Sequence, residues 1–443
     1  MKEIKNLAGK KLAVVTVGCR LNQADTGLIT SRLESAGCVM IDPKTCPPDI
    51  IIVNSCTVTS SASQRSYQTA RSLRDKFPES MIVATGCSCV MEKEKWESEA
   101  AVDLVIGNSG KPDIAELVLA VLAGKKCSMP EKAPSPLFEE RTNASFPLRS
   151  RAFLKIQDGC DARCSYCIVP DTRGPERSRK KDEVLREFSH FIEKGFKEIV
   201  ITGVNICAYR DGKCTPSDIL AELCGLPGEF RIRLGSMEPH PETWKLLDIM
   251  KSNSRICRFL HLPIQHGSDK ILQAMNRKYP AAEFAKFART AAEEIPGIHI
   301  GTDIIAGFPG ETEELFLESC QLLESLPLAN LHIFRFSPRK GTPAANFADK
   351  VPQKISKRRA EILAEVECRL AEKFVASQIG KVLPVLIEKT GATGKTGAVS
   401  SGWSDNYIKV FVNSPGIKRR SLVNVLATDR AERFSLVGVI GRD

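Results

Sequence analysis

Long apolar runs are missing from this chain. None of its 443 residues belong to a stretch approaching the ~20 apolar residues that span a bilayer. The short run near the start, Leu12 to Val17, is broken by Thr16 and closed by Gly18 and Cys19. It reads as a buried strand rather than a secretory signal. Internal repeats and low-complexity tracts are also absent, which argues against solenoids and disordered arrays. GFPGET, residues 307–312, is a tight turn into a helix. It lacks the GKS or GKT ending of a phosphate loop. Finally, Cys160, Cys164 and Cys167 stand in C-x3-C-x2-C spacing within GCDARCSYC, with no obvious fourth ligand nearby. Structural zinc normally takes four ligands, and disulfides need pairs.

What is present points to a cytoplasmic protein with reduced thiols. Sixteen cysteines without a secretory signal favour metal or redox use over disulfides. The formal net charge of +10 permits an acidic partner such as a nucleic acid.

Strand and helix signals alternate from the start and predict a parallel α/β unit over 9–124. Its expected strands are KLAVVTVGC, DIIIVNSC, MIVATGC and DLVIGN, with one helix ending near Ala36 and another over 60–77. Pro, Ser and charge dominate 125–150, which reads as a linker. Six further strand signals, AFLKIQ, EIVITGV, RIRLGSM, RFLHLPI, HIGTDIIAGF and LHIFRFS, predict a partial (β/α)6 barrel over 151–375. A charged amphipathic helix from Gln353 to about Ser377 trails it. Short strands separated by Gly, Asn and Pro predict a small β-barrel over 376–443.

Three thiolates this close suit an iron–sulfur cluster. A cubane held by three cysteines leaves one iron free for a substrate or cosubstrate. The motif directly follows a barrel strand, where sites gather. The competing use is a partial zinc site or chance clustering. A second set emerges from position alone. Cys19, Cys56 and Cys87 each end a strand of the first unit. Ligands of a parallel sheet bind beyond those ends, so the three can converge on a second cluster. Cys89 competes with Cys87. The other cysteines show no such arrangement and are read as structural.

Smaller signals suit cosubstrate binding at the barrel mouth: Gly203 and Asn205, Ser236 and Glu238, and Gln265, each just past a strand. Each serves equally well as ordinary loop structure. From Gln378 to Asp443 there are ten Lys/Arg and five Asp/Glu, a net of +5. Lys418, Arg419 and Arg420 form a basic triplet suited to RNA phosphates. Trp403, Tyr407 and Phe411 read as core aromatics, with base stacking as the alternative.

C-x3-C-x2-C after a first barrel strand resembles the radical S-adenosylmethionine superfamily. VGCRLNQAD, NSCTVTSSA, TGC, KIQDGCDARCSYCIVPDTRG, HLPIQHGSD, MNRKY and DIIAGFPGET resemble its methylthiotransferase branch over nearly the whole chain. NSCTVT, EIVITGVNI, MNRKY and FSPRKGTPAA look most like the enzymes acting on N6-threonylcarbamoyladenosine at position 37 of tRNA. The resemblance implies two [4Fe-4S] clusters, one on each cysteine set, and S-adenosylmethionine at the Cys160, Cys164 and Cys167 cluster. It implies a 5′-deoxyadenosyl radical that attacks C2 of the adenine, and sulfur delivered at the Cys19, Cys56 and Cys87 cluster. The last unit resembles TRAM, an RNA-binding barrel. Expected partners are tRNA, an electron donor such as a flavodoxin or ferredoxin, and a sulfur source; a monomer is expected. Sibling branches act on N6-isopentenyladenosine of tRNA or on a ribosomal protein aspartate. The alternative of another class is a non-catalytic RNA-binding protein with structural zinc. Arg163, Asp171 and His266 depart from the residues that relatives often carry there.

Overall fold

Strands that must be buried on both faces are written as continuous apolar runs, and the first unit follows that rule. In the computed structural model, which describes residues 7–125, 127, 144–394, 397–414, 416–432 and 434–441, it forms one parallel sheet. The strands are β1 (Lys11–Thr16), β2 (Val39–Met40), β3 (Ile50–Ser55), β4 (Met81–Gly86) and β5 (Leu104–Ile106), in the order β2-β1-β3-β4-β5. β3 and β4 are buried along their whole length, with an apolar layer on each face of the sheet. β2 was not expected; two residues carry no readable periodicity. Thr59 caps the helix Ser60–Lys76 by accepting from the Ala62 N–H at 3.1 Å, which fixes where the chain turns after Cys56. Most of the expected linker, residues 126 and 128–143, lies outside the described residues.

The central unit uses alternation instead. Its strands are β6 (Ala152–Lys155), the two-residue β7 (Gln157–Asp158) and β8 (Arg177–Ser178), then β9 (Glu198–Thr202), β10 (Arg231–Leu234), β11 (Phe259–His261), β12 (His299–Ala306) and β13 (Asn330–Arg335). β10-β9-β6 and β11-β12-β13 are parallel sheets, linked by single bridges from Ile232 to Ile256 and from Ser236 to His261. Six long strands thus follow one another around an open barrel, as expected. Leu154, Ile199, Ile232 and Ile300 pack into the surrounding core. The intervening positions carry Lys155, Glu198, Arg231 and Arg233.

Of these, Arg231 and Arg233, paired by Glu198, bind the last unit. It is a closed five-stranded barrel of β14 (Val382–Gly394), β15 (Gly397–Ser404), β16 (Lys409–Asn413), β17 (Leu422–Arg430) and β18 (Ser435–Ile440). Arg231 donates to the carbonyls of Pro384 and Trp403, both at 2.8 Å, and Arg233 to those of Asp405 at 2.8 Å and Ser404 at 3.0 Å. Glu198, fully buried, pairs with Arg151, Arg231 and Arg233. Burial opposes its ionisation, but the three guanidiniums outweigh it and hold the carboxyl well below the usual range. Tyr407 stacks on Trp403 at 4.8 Å and packs beside Phe259 of β11 at 4.9 Å. These two aromatics serve the junction between barrels rather than a base. Among the described residues, no helix is long and apolar enough to cross a membrane.

Candidate metal centres

Glycines place the cysteines. Gly159, immediately before Cys160, has φ +74°, and a Cβ there would lie 1.9 Å from the Pro175 carbonyl oxygen. Gly18, immediately before Cys19, has φ +118°, and its Cβ would lie 3.0 Å from Cys56 Sγ. Only glycine accepts both the backbone conformation and the contact. The sequence signal was available as Gly-Cys pairs at 18–19, 86–87 and 159–160.

Cys160 and Cys164 are buried and Cys167 half-buried; Cys56 and Cys87 are buried and Cys19 lies at the surface. Burial pushes the Cys160 thiol up to about 11 and the Cys56 and Cys167 thiols up to about 12, and neighbouring cysteines of the same set push each further. Cys19, Cys56 and Cys87, spread across 68 residues of sequence, lie within one another's electrostatic reach. Burial keeps Cys56, Cys160 and Cys167 protonated when unligated, and metal ligation would release those protons. Two sulfurs on one zinc, each ~2.3 Å from it, stand at most ~4.6 Å apart. Among the described residues, neither cysteine set brings its three sulfurs within 4.8 Å of one another. The wider spread suits a cluster of several irons, each held by one thiolate.

Cys89 resolves away from this centre. It is fully buried, with Sγ 3.6 Å from the Ser55 hydroxyl, and packs in the apolar layer with Tyr67 and Trp96. The short helix Cys87–Met91 carries both residues, and Cys89 packs with Tyr67 and Trp96 while Cys87 Sγ lies 3.8 Å from Asn108 Nδ2. Cys89→Ala is therefore expected to keep the full iron content of the reconstituted protein. Loss of about four irons per chain in an iron assay would return Cys89 to the ligand set.

The MNRKY stretch, read from sequence only as a family marker, braces the barrel cysteines. Arg277 Nη1 lies 3.4 Å from Cys164 Sγ and 2.9 Å from Glu238 Oε1. Asn276 donates to the Arg163 carbonyl at 3.0 Å, and the Ser165 N–H donates to the Met275 carbonyl at 3.0 Å. Arg277 was missed because its partners lie far away in sequence.

A buried ion network joins the two units beneath the cysteines. Asp25 meets Lys111 at 2.6 Å, Lys155 at 2.7 Å and Arg173 at 3.0 Å. Asp158 meets Arg173 and Arg177 at 3.1 Å and Lys155 at 3.2 Å. Four cations thus surround two carboxylates. Arg173 also donates to Asn22 Oδ1 at 2.9 Å and lies in the field of Cys19 and Cys87. Surplus positive charge beside a thiol set is what an anionic thiolate cluster needs.

The remaining expected residues divide. Gly203 and Asn205 meet Gln157: a Cβ on Gly203 would lie 2.9 Å from Gln157 Oε1, which accepts from the Asn205 N–H at 3.0 Å. Gln157 in turn donates to the Gly159 carbonyl at 2.8 Å, so both prop the loop that starts at Cys160. Ser236 bonds His261 Nδ1 at 2.8 Å, and Glu238 bonds Arg277. Gln265 holds φ +70° at the edge of a recess, a strained backbone of the kind found at functional sites. His266 turns away into the core against Glu311, so that departure leaves the recess untouched. Arg163 and Asp171 stand 4.0 Å apart at the surface. In the basic triplet, Lys418 is exposed. Arg419 bonds Ser150 at 3.0 Å, and Arg420 donates to the carbonyls of Phe146 and Arg149. These two arginines brace the entry to β6, a use the sequence did not disclose.

The recess holds about 120 Å³ and lies between the loops of both cysteine sets. Val58 and Thr59, just past Cys56, form one wall; Tyr166, between Cys164 and Cys167, forms another. Asp303 of β12 lines it. His261 Nε2 and His332 Nδ1 lie 2.9 and 3.0 Å from Asp303 Oδ1. Burial opposes ionisation of Asp303, yet these hydrogen bonds outweigh it and hold the carboxyl well below the usual range. Sequence reading missed this trio because its members sit on three different strands.

Residues 154–323 match the model of the Radical SAM superfamily, and 11–107 that of Uncharacterized protein family UPF0004. The threonylcarbamoyladenosine tRNA methylthiotransferase MtaB of Thermotoga maritima is 34% identical over 90% of this chain and 91% of its own. A tRNA-2-methylthio-N(6)-dimethylallyladenosine synthase of Syntrophomonas wolfei is 33% identical over 97% of both. Among solved structures, the radical S-adenosylmethionine methyltransferase TsrM of Kitasatospora setae, with cobalamin and a [4Fe-4S] cluster bound, matches with a TM-score of 0.57. It is 15% identical and covers 76% of this chain and 77% of that one, a likeness of fold.

Proposed function

Because the chain belongs to the radical S-adenosylmethionine methylthiotransferase family, we propose that it converts N6-threonylcarbamoyladenosine at position 37 of tRNA to the 2-methylthio derivative. The observation that carries the reading is one recess lined by Val58 and Thr59, just past Cys56, and by Tyr166, between Cys164 and Cys167. Family membership makes S-adenosylmethionine and [4Fe-4S] clusters the cofactors. With both clusters bound, the site would supply reductive cleavage of S-adenosylmethionine for attack on an unactivated C–H bond at one and the sulfur at the other.

The chain's own residues bind, orient and shield. Cys160, Cys164 and Cys167 would hold the first cluster, and Cys19, Cys56 and Cys87 the second. Gly203, Asn205, Ser236, Glu238 and Gln265 would line the S-adenosylmethionine site, with the Glu238 carboxylate as an acceptor for its amino group. Arg277 places a cation beside Cys164, which supports thiolate charge there. Tyr166, Ile305 and Phe336 give the recess an apolar part, which excludes water from a reactive species. Lys418, which makes no ion pair or side-chain hydrogen bond among the described residues, would lie along RNA phosphates beside Arg419 and Arg420, whose guanidiniums also brace the segment 146–150. Electrons would come from a flavodoxin or ferredoxin and sulfur from a separate source, in the reducing cytoplasm.

Deleting the gene is expected to remove 2-methylthio-N6-threonylcarbamoyladenosine from nucleoside digests of tRNA, read by mass spectrometry. Unchanged digests overturn this substrate. Loss of the 2-methylthio group from isopentenyladenosine, or of a modified ribosomal protein, assigns the chain to a sibling branch.

A further inference from the structure

Two arginines, four residues apart, do different things in FRFSPR. Arg339 is nearly buried and donates to Thr57, to Ser60 Oγ at 3.1 Å and to Ser63 Oγ at 3.4 Å. Ser337 adds hydrogen bonds to the Ser60 N–H at 3.2 Å and the Ser60 hydroxyl at 2.9 Å. This segment is thereby stitched to the loop that follows Cys56. Arg335 makes no ion pair or hydrogen bond among the described residues, although it lines the recess. The Arg335 side chain is exposed at the rim of the recess and without a partner among the described residues, which leaves its guanidinium open to a planar anion.

The size and setting narrow the anion. At about 120 Å³ the recess takes a short branched substituent or part of one, not a whole nucleotide. It opens between the loops of both cysteine sets, where the reacting base must come. The lining also offers Gln265, an amide able to pair with a urea, and Asp303, whose Oδ1 is hydrogen-bonded to His261 and His332. A threonylcarbamoyl group carries a urea, a hydroxyl and one carboxylate. An isopentenyl group carries none of these and would leave Arg335 unpaired.

On the substrate reading given above, we propose that this recess is the subsite for the N6 substituent and that Arg335 receives its carboxylate. Arg335 is then the residue that selects the threonylcarbamoyl group over an apolar one. A site whose donor matches one substituent's carboxylate discriminates against an analogue that offers it no acceptor.

The test compares anticodon stem-loop RNAs carrying adenosine, N6-threonylcarbamoyladenosine or N6-isopentenyladenosine at position 37. Binding is followed by fluorescence anisotropy with the cluster-loaded wild type and with Arg335→Gln; iron content shows that the variant is folded. Wild type is expected to prefer the threonylcarbamoyl RNA. Arg335→Gln is expected to lose about tenfold to a hundredfold on that RNA, with the loss confined to it. Arg335→Lys should restore part of the loss, since it keeps the charge without the fork. An equal loss on all three RNAs makes Arg335 a phosphate contact and overturns the assignment. So does an unchanged preference in the variant. A wild type without any preference for the threonylcarbamoyl RNA overturns the substrate reading, and the subsite with it.

Discussion

Protein with Cys160, Cys164 and Cys167 all changed to alanine is expected to make no detectable 5′-deoxyadenosine, and its iron should fall from about eight to about four per chain. The matching triple change at Cys19, Cys56 and Cys87 should also halve the iron. It should leave 5′-deoxyadenosine formation in place while abolishing the methylthio product. The two sets enter from different units: one on the loop after β7, the other on the ends of β1, β3 and β4. Neither can substitute for the other's ligands, and the losses should separate cleanly. Anaerobic reconstitution, an iron assay and chromatography of both products read the result. Zinc in place of iron, or loss of all iron from either variant, would show that these cysteines do not form two independent centres.

Asp25→Asn is expected to destabilise the folded chain by about 3–5 kcal/mol, because it leaves Lys111, Lys155 and Arg173 buried around a neutral amide. Urea unfolding of the apo protein at pH 7 measures this. A shift below about 1 kcal/mol would mean that the network is dispensable. The pH dependence adds a second check. Burial opposes ionisation of Asp25, but the three cations outweigh it and hold its carboxyl well below its unfolded value. A carboxyl of this kind stabilises fully above its unfolded pKa of ~3.9, and the increment drains as pH falls through and below that value. Wild type and Asp25→Asn should therefore converge in stability on acidification from about pH 5 downward.

Local features of the chain were legible because their causes are local. Continuous apolar runs predicted four of the five strands of the first sheet, and alternation with helices predicted six long barrel strands. The Cys160 set could be read from spacing, since its three members share one loop. The Cys19 set was reached from a rule about strand ends rather than from spacing. Choosing between Cys87 and Cys89 needed the packing around a five-residue helix, which composition does not encode.

Long-range pairing was not legible. Asp25 and Lys155 are 130 residues apart, and Arg277 and Cys164 are 113 apart. His261, Asp303 and His332 meet only because β11, β12 and β13 are neighbours in one sheet. Arg419 and Arg420 looked like two more phosphate contacts until the carbonyls of 146–149 stood beside them.

By itself, the sequence determined the kinds of secondary structure, the two thiol sets and the family they resemble, because periodicity and spacing act between near neighbours. Only the tertiary structure showed which arginines bond backbone carbonyls and which makes no ion pair among the described residues, and that the loops beside Cys56 and between Cys164 and Cys167 line one recess. A side chain's charge and donors are written in its own letter, but whether they are satisfied depends on groups that folding alone brings within 3 or 4 Å.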